Sequence, residues 1–407
     1  MDLEGLLPAD HRARLVWEFV QGLDLRPLYE TIRAVEGHAG RPAIDPAIVL
    51  ALWLYATVEA VGSARALERL CEQHDAYRWI CGGVSVNYHT LADFRVGQGE
   101  ALDRLLTQSV AALLATGQVQ LPRVAQDGVR VRANAGTGSF RRAPRLQAAL
   151  AAAEAHVAAL RQEVDADPAA TTRRQAAAQA RAARERQARV QAALNELPAL
   201  EAQAARRAKK DGKAPKAVRV STTDPEARVM KMADGGFRPA FNVQLAADTA
   251  SQLIVGVEVT NAGTDHGQLA PMMAQVQQRY GRMPEAVLAD GGYVALDDIR
   301  ALAQPEVGCY VYAPPPTVAK QAGQALWRAD DAPIAEWRQR MGTPAAAEIY
   351  KQRAATIECV NALARNRGLQ RLLVRGVRRA RSVVLWLALA HNLMRTVTLR
   401  RPQPAAA

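Results

Sequence analysis

The feature that most constrains this chain is an interruption. Residues 119–131 (VQLPRVAQDGVRV) alternate apolar and polar side chains as a strand does, yet the next segments of that kind are Phe241–Ala247 (FNVQLAA) and Leu253–Thr260 (LIVGVEVT). A strand cannot leave its backbone edges unpaired inside a fold, so Val124–Val131 needs partners from beyond residue 236. Everything between, residues 141–219, must leave the sheet and return to it. That stretch is over a third alanine. Leu146, Leu150, Val157, Leu160 and Val164 keep a heptad-like register, Asp165–Thr172 (DADPAATT) supplies a turn, and Val190, Leu194 and Leu197 resume the register. The expectation is an inserted antiparallel helical hairpin with a narrow apolar seam and Arg-rich outer faces. Pro198 should end or bend its second arm. The tail that follows, ARRAKKDGKAPKAVR, has the composition of a loose linker.

The flanks are of two kinds. Residues 1–118 read as helical, with Arg12–Gly22 amphipathic and Asp45-Pro46 opening a long apolar helix. Ser63 caps Ala64–Gln73, whose Glu68 and Glu72 should face outward, and Asp75–Cys81 stops at Gly82-Gly83. Asn87–Val96 and Glu100–Thr116 complete the set. Short helices between tight turns suit a helix-turn-helix DNA reader and equally an ordinary packing domain. After the two later strands come a helix at Asp265–Gly281, a strand at Ala286–Ala289, a helix at Ala295–Ala303, a strand at Cys309–Tyr312 and Arg-rich helices from Pro344. Strands first in hairpin sequence and then alternating with helices predict an α/β sheet covered by helices.

Charge says what such a fold would meet. The net charge is +12, but residues 141–219 carry +9 and residues 359–407 carry +10, leaving −7 elsewhere. Two basic blocks beside an acidic remainder point to a polyanion, most simply nucleic acid, unless an Arg- and Ala-rich composition has no partner behind it. The apolar runs Ile48–Val58 and Val383–Ala390 fall short of the roughly 20 residues of a membrane-spanning helix. The start, MDLEGLLPADHR, has no secretory pattern, so a cytoplasmic protein is expected. Cys71, Cys81, Cys309 and Cys359 stand singly and predict four packed thiols rather than a zinc site. P-loop, dinucleotide, zincin and serine-hydrolase motifs do not occur in the sequence.

What remains for chemistry is acidic. Asp127 precedes Gly128 where an apolar strand gives way, and Asp290 precedes Gly291-Gly292 in the same manner. Carboxylates at strand ends, with glycines leaving room for a metal and a phosphate, could bind Mg²⁺ if a third acid joins them; otherwise each is a turn residue. The third candidate lies in IYKQRAATIECVNALARNRG. On a uniform helix of about 100° per residue, Tyr350 is at 0°, Arg353 near −60°, Glu358 near 80° and Arg365 near 60°. An acid for metal and two guanidinium groups for phosphates would share that arc, as would an incidental solvated face.

The spacing Tyr350-x-x-Arg353-x-x-x-x-Glu358-x-x-x-x-x-x-Arg365 resembles the Y-R-E-K signature of bacterial insertion-sequence DDE transposases. QDGVRVRANAGTGSFRR resembles their segment around the first Asp, and VLADGGYV the segment around the second. The stretch Gly40–Gln98 resembles their N-terminal helical domain, and Leu387–Arg395 (LALAHNLMR) their C-terminal helix. The resemblance implies an RNase H-like catalytic core at residues 119–140 and 220–400, an N-terminal helical DNA-binding domain at 1–118 and the inserted hairpin between. It implies Asp127, Asp290 and Glu358 as catalytic metal ligands for two Mg²⁺ ions roughly 3.5–4 Å apart, with Mn²⁺ as substitute. Tyr350, Arg353 and Arg365 would face DNA, Arg365 standing where lysine is usual and Val129 where threonine often is. The implied substrate is double-stranded DNA, terminal inverted repeats and target, handled by a homo-oligomer. An inactive DNA-binding remnant, or an RNase H-like nuclease without strand transfer, would share these residues.

Overall fold

The computed structural model describes residues 3–30, 32, 43–166, 172–316 and 331–400. Among the described residues six strands build the main sheet, five of them being β1 (Arg123–Arg132), β2 (Phe237–Asp248), β3 (Ile254–Thr260), β4 (Ala286–Leu288) and β5 (Tyr310–Tyr312). β1 pairs antiparallel with β2 on one side and parallel with β4 on the other, and the order across the sheet is β3-β2-β1-β4-β5. A short strand, Arg228–Lys231, lengthens the β2 edge. The partners of β1 thus do come from beyond residue 236. One expectation fails here. Asp127-Gly128 is not where the strand ends: Asp127 pairs with Leu245 and Gly128 with Gln244, in mid-strand. Alternation explains the burial, since Ala125, Val129 and Val131 feed one apolar core and Val124 the other. A sheet with two apolar faces must be covered twice.

Helices α1 (Arg12–Gln21), α2 (Pro46–Val58), α3 (Ala64–Gln73), α4 (Asp75–Cys81), α5 (Tyr88–Gly97) and α6 (Gly99–Ala115) precede the sheet. Their starts are written locally. Asp45, Ser63 and Asn87 each accept a backbone N–H of the first turn, from Ala47, Ala66 and Thr90. Gly82 stops α4 in the left-handed region at φ 57°. Glu68 does not simply face solvent; it accepts the Tyr88 N–H at 2.9 Å and ties α3 to the start of α5. Residues 40–42, the start of the stretch that resembles the helical domain, lie outside the described residues.

The basic segment forms α7 (Ala143–Ala166) and α8 (Arg173–Asp211), packed along one another. The expected turn Asp165–Thr172 falls largely on residues 167–171, outside the described residues. Pro198 does not end α8, which runs on to Asp211, and the expected linker is helical as far as Asp211 and loop only from Gly212 to Arg219. A proline inside a helix costs about 3 kcal/mol. Here the apolar seam brackets it: Leu197 and Ala193 are buried with Leu146 and Val220, and Leu194 and Leu200 pack beside them. At the base, Phe140–Arg141 pairs with Val220–Ser221 as a small ribbon.

The remaining helices are α9 (Leu269–Tyr280), α10 (Leu296–Leu302), α11 (Ala332–Met341), α12 (Pro344–Arg353), α13 (Cys359–Asn366) and α14 (Val377–Arg400). α14 is long and apolar enough to cross a membrane by length and composition, but most of it is buried in the protein. Asn392 grips β3 through both amide atoms, at 2.8 Å each to the Ile254 N–H and C=O. Trp386 packs 6.4 Å from Trp53 of α2 and donates its indole N–H to Arg95 O. The N-terminal helices therefore share one core with the sheet and α14. All four cysteines are free thiols, Cys81 and Cys309 buried, Cys71 half-buried and Cys359 exposed.

Candidate active site

Register places the first two acids. Ala125 of β1 lies opposite Leu288 of β4 in parallel pairing, so two residues further Asp127 and Asp290 extend from the same face. Asp290, two residues past the end of β4, caps the short turn Gly291–Tyr293 by accepting the Gly292 N–H at 2.7 Å. A Cβ on Gly292 would stand 2.9 Å from that same Asp290 oxygen, which is why glycine sits there. Gly128 does not open the carboxylate side. A Cβ on it would meet Asp265 Oδ1, Gln244 Nε2 and Asn242 Oδ1 on the opposite face of the sheet.

The third acid arrives on a helix whose geometry differs from the uniform wheel. Between α12 and α13, residues Ala354–Glu358 form a π turn. In an unbroken α-helix Arg353 and Glu358 would point about 140° apart. A π turn bonds i to i+5, so five residues make roughly one turn and the two side chains come together. Arg353 donates to Glu358 Oε1 at 3.0 Å, and its other terminal nitrogen lies 3.4 Å from Asp127 Oδ1. Ile357, Val360 and Ala364 bury the underside of this segment. Gln252 donates to Ala355 O at 2.8 Å, and Arg123 to Gln352 Oε1 at 3.0 Å.

One guanidinium thus joins acids from a central strand and a helix, with Asp290 and Tyr350 also in its field. Burial alone would lower the Arg353 pKa, but Asp127, Tyr350, Asp290 and Glu358 hold it above its ordinary value. Burial pushes Asp127 above the usual carboxylate range; Arg353 and the Gly128 N–H oppose this, and Asp290 and Asp265 add to it. Burial likewise raises the half-buried Tyr350 hydroxyl. Glu358 is the most open member, its side chain 56% exposed. Arg365 stays outside the cluster, exposed near the end of α13, with no side-chain hydrogen bond or ion pair among the described residues.

Sequence reasoning does not single out Asn361. It is buried on α13, and its amide donates to Asp127 Oδ2 at 2.8 Å while its own Oδ1 has no hydrogen-bond partner. Its position three residues after Glu358, on the same helical face, is the available signal. Asp265 reads in sequence only as the start of a helix. It accepts from Asn242 and Gln244 at 2.7 Å each and pairs with Arg130 at 2.7 Å. Tyr293 donates to Gln244 at 2.6 Å, extending this buried polar layer behind β1.

Three carboxylates and a buried amide oxygen, against one guanidinium, form a hard, oxygen-only donor set of net negative charge. That chemistry suits a divalent cation such as Mg²⁺. Among the described residues no three His, Cys, Asp or Glu side chains close on a common point, for Arg353 lies between the acids.

Residues 1–96 match a family model described as a transposase domain, and residues 213–393 match one described as a transposase DDE domain. Asp290 and Glu358 lie within the second match, and Asp127 lies outside both. No curated protein and no solved structure matches the chain.

Proposed function

The chain belongs to the insertion-sequence DDE transposases, and on that premise we propose that it cleaves the ends of its own element and joins the freed 3′-OH to target DNA. The observation that carries this reading is Arg353 bridging Asp127 and Glu358, with Asp290 in its field. These acids are the proposed ligands of Mg²⁺ or Mn²⁺, within an RNase H-like core. When bound, such ions polarise a phosphodiester as Lewis acids.

The chain's own groups do the rest. Asp127 sits on the central strand, held by Asn361, and so gives the site a rigid reference point. Arg353 keeps the acids from repelling one another and, with Arg365, offers planar donors to phosphate oxygens. Tyr350 presents its hydroxyl beside them. Because the N-terminal helices share a core with α14, any DNA they hold has a fixed orientation relative to the acids. Pairing of two DNA ends calls for a homo-oligomer on DNA, and work on chromosomal DNA for a cytoplasmic, nucleoid-associated protein.

The test is a duplex carrying the element's terminal inverted repeat, incubated with Mg²⁺ and a target plasmid. Nicked 3′-OH ends and joined strands are expected, and D127N, D290N and E358Q should each abolish both while retaining DNA affinity. Cutting without joining would make the protein a nuclease; binding with neither would make it a remnant.

A further inference from the structure

A basic cavity lies at the foot of the helical pair. It measures about 290 Å³ and is lined by Arg141, Arg186, Arg189, Thr222 and Thr223, with no carboxylate in its wall. The elements that bring these residues together are distant in sequence: Arg141 leaves the basal ribbon, Arg186 and Arg189 lie three apart on α8, and the threonines follow the returning strand. Among the described residues Arg189 has only a long ion pair, 3.8 Å to the exposed Glu185, and its Nε is buried with no hydrogen-bond partner. Arg375, exposed in the segment that enters α14, presses a further positive charge on Arg189, as does Arg186.

Like charges around a polar cavity repel unless an anion completes them. Guanidinium donors match the fork of phosphate oxygens, and threonine hydroxyls add single donors. We infer that this cavity is a phosphate-binding site that grips the backbone of a DNA strand also engaged at the acidic cluster. The inference rests on the transposase reading. The chain gives the strand a path: Arg365 stands exposed after the acids, and Arg371 and Arg375 follow on a segment hydrogen-bonded to the end of β1. The inserted helices would then act as a clamp at their base, rather than by their outer faces.

The experiment is a salt titration of affinity for a fluorescent terminal-repeat duplex, in EDTA so that no cleavage occurs. The unmodified full-length protein is compared with R186Q/R189Q and with R206Q/R207Q, which removes equal charge from the same helix outside the cavity. R186Q/R189Q should lower the log–log salt slope by about 0.9 for each phosphate no longer neutralised, and by more than R206Q/R207Q does. Equal melting temperatures of the variants show that folding is not the cause. Slopes alike in R186Q/R189Q and the unmodified protein overturn the inference. So does a cavity that takes inorganic pyrophosphate, seen as thermal stabilisation lost only in R186Q/R189Q, while duplex binding is unchanged. An unmodified protein that binds no duplex overturns the transposase reading itself.

Discussion

Gly128→Ala tests the layer behind the acids most directly. The new methyl carbon would lie 2.3 Å from Asp265 Oδ1 and 2.5 Å from Gln244 Nε2, both far inside van der Waals contact. Asp265 Oδ1 is the shared acceptor of Asn242 and Gln244, all of them buried. Relief therefore means moving the carboxylate away from two donors. Hydrogen bonds to a charged group contribute about 1.5–3 kcal/mol each. Losing glycine freedom in the unfolded chain returns about 0.4–1 kcal/mol. The net expectation is a loss of about 2–5 kcal/mol, read as a lower urea midpoint with unchanged slope. In a Gln244→Ala background one of the three close atoms is gone, and the same substitution should cost less. A loss under about 1 kcal/mol, or an equal cost in both backgrounds, would refute the argument.

Three further outcomes follow from the same geometry. Asp127 has a pKa above the ordinary 3.8 because of burial, so its contribution to stability is fully present below about pH 4 and lost as pH rises through the raised value. D127N should thus melt higher than the unmodified protein at pH 7, with the gap closing toward pH 4; a lower melting temperature at pH 7 would contradict the sign. Arg365→Ala should change stability by under about 0.5 kcal/mol yet lower the salt slope of DNA binding by about 0.9, and Arg365→Lys should restore it; an unchanged slope removes this residue from the DNA face. Replacing residues 143–216 by a short glycine linker should leave cooperative unfolding and weaker DNA binding, because the hairpin has its own small core and the ribbon at its base holds the ends together. Loss of cooperativity would show that the hairpin supports the sheet.

What the sequence disclosed was local or periodic. Caps at Asp45, Ser63 and Asn87 need only their first helical turn, and β2 and β3 announce themselves by alternation. What stayed hidden depends on distant partners. Gly128 looks like a turn until Asp265, Gln244 and Asn242 are brought beneath it. Asn361 acquires its role only when Asp127, 234 residues earlier, meets its amide. Pro198 does not end its helix because the local cost is set against an apolar seam that sequence rules do not count.

The π turn between Arg353 and Glu358 bears on how such a motif is to be counted. A helix of constant pitch ties the direction of each side chain to its ordinal number; a single π turn introduces a phase slip of one residue. The half bearing Tyr350 and Arg353 and the half bearing Glu358, Asn361 and Arg365 each keep an internal period, but the two no longer share one origin. Four residues in an unbroken α-helix and five across a π turn deliver nearly the same surface. Distance along the chain is therefore a poor guide to which side chains of this segment share a face, and their angular positions must be counted separately on either side of the slip.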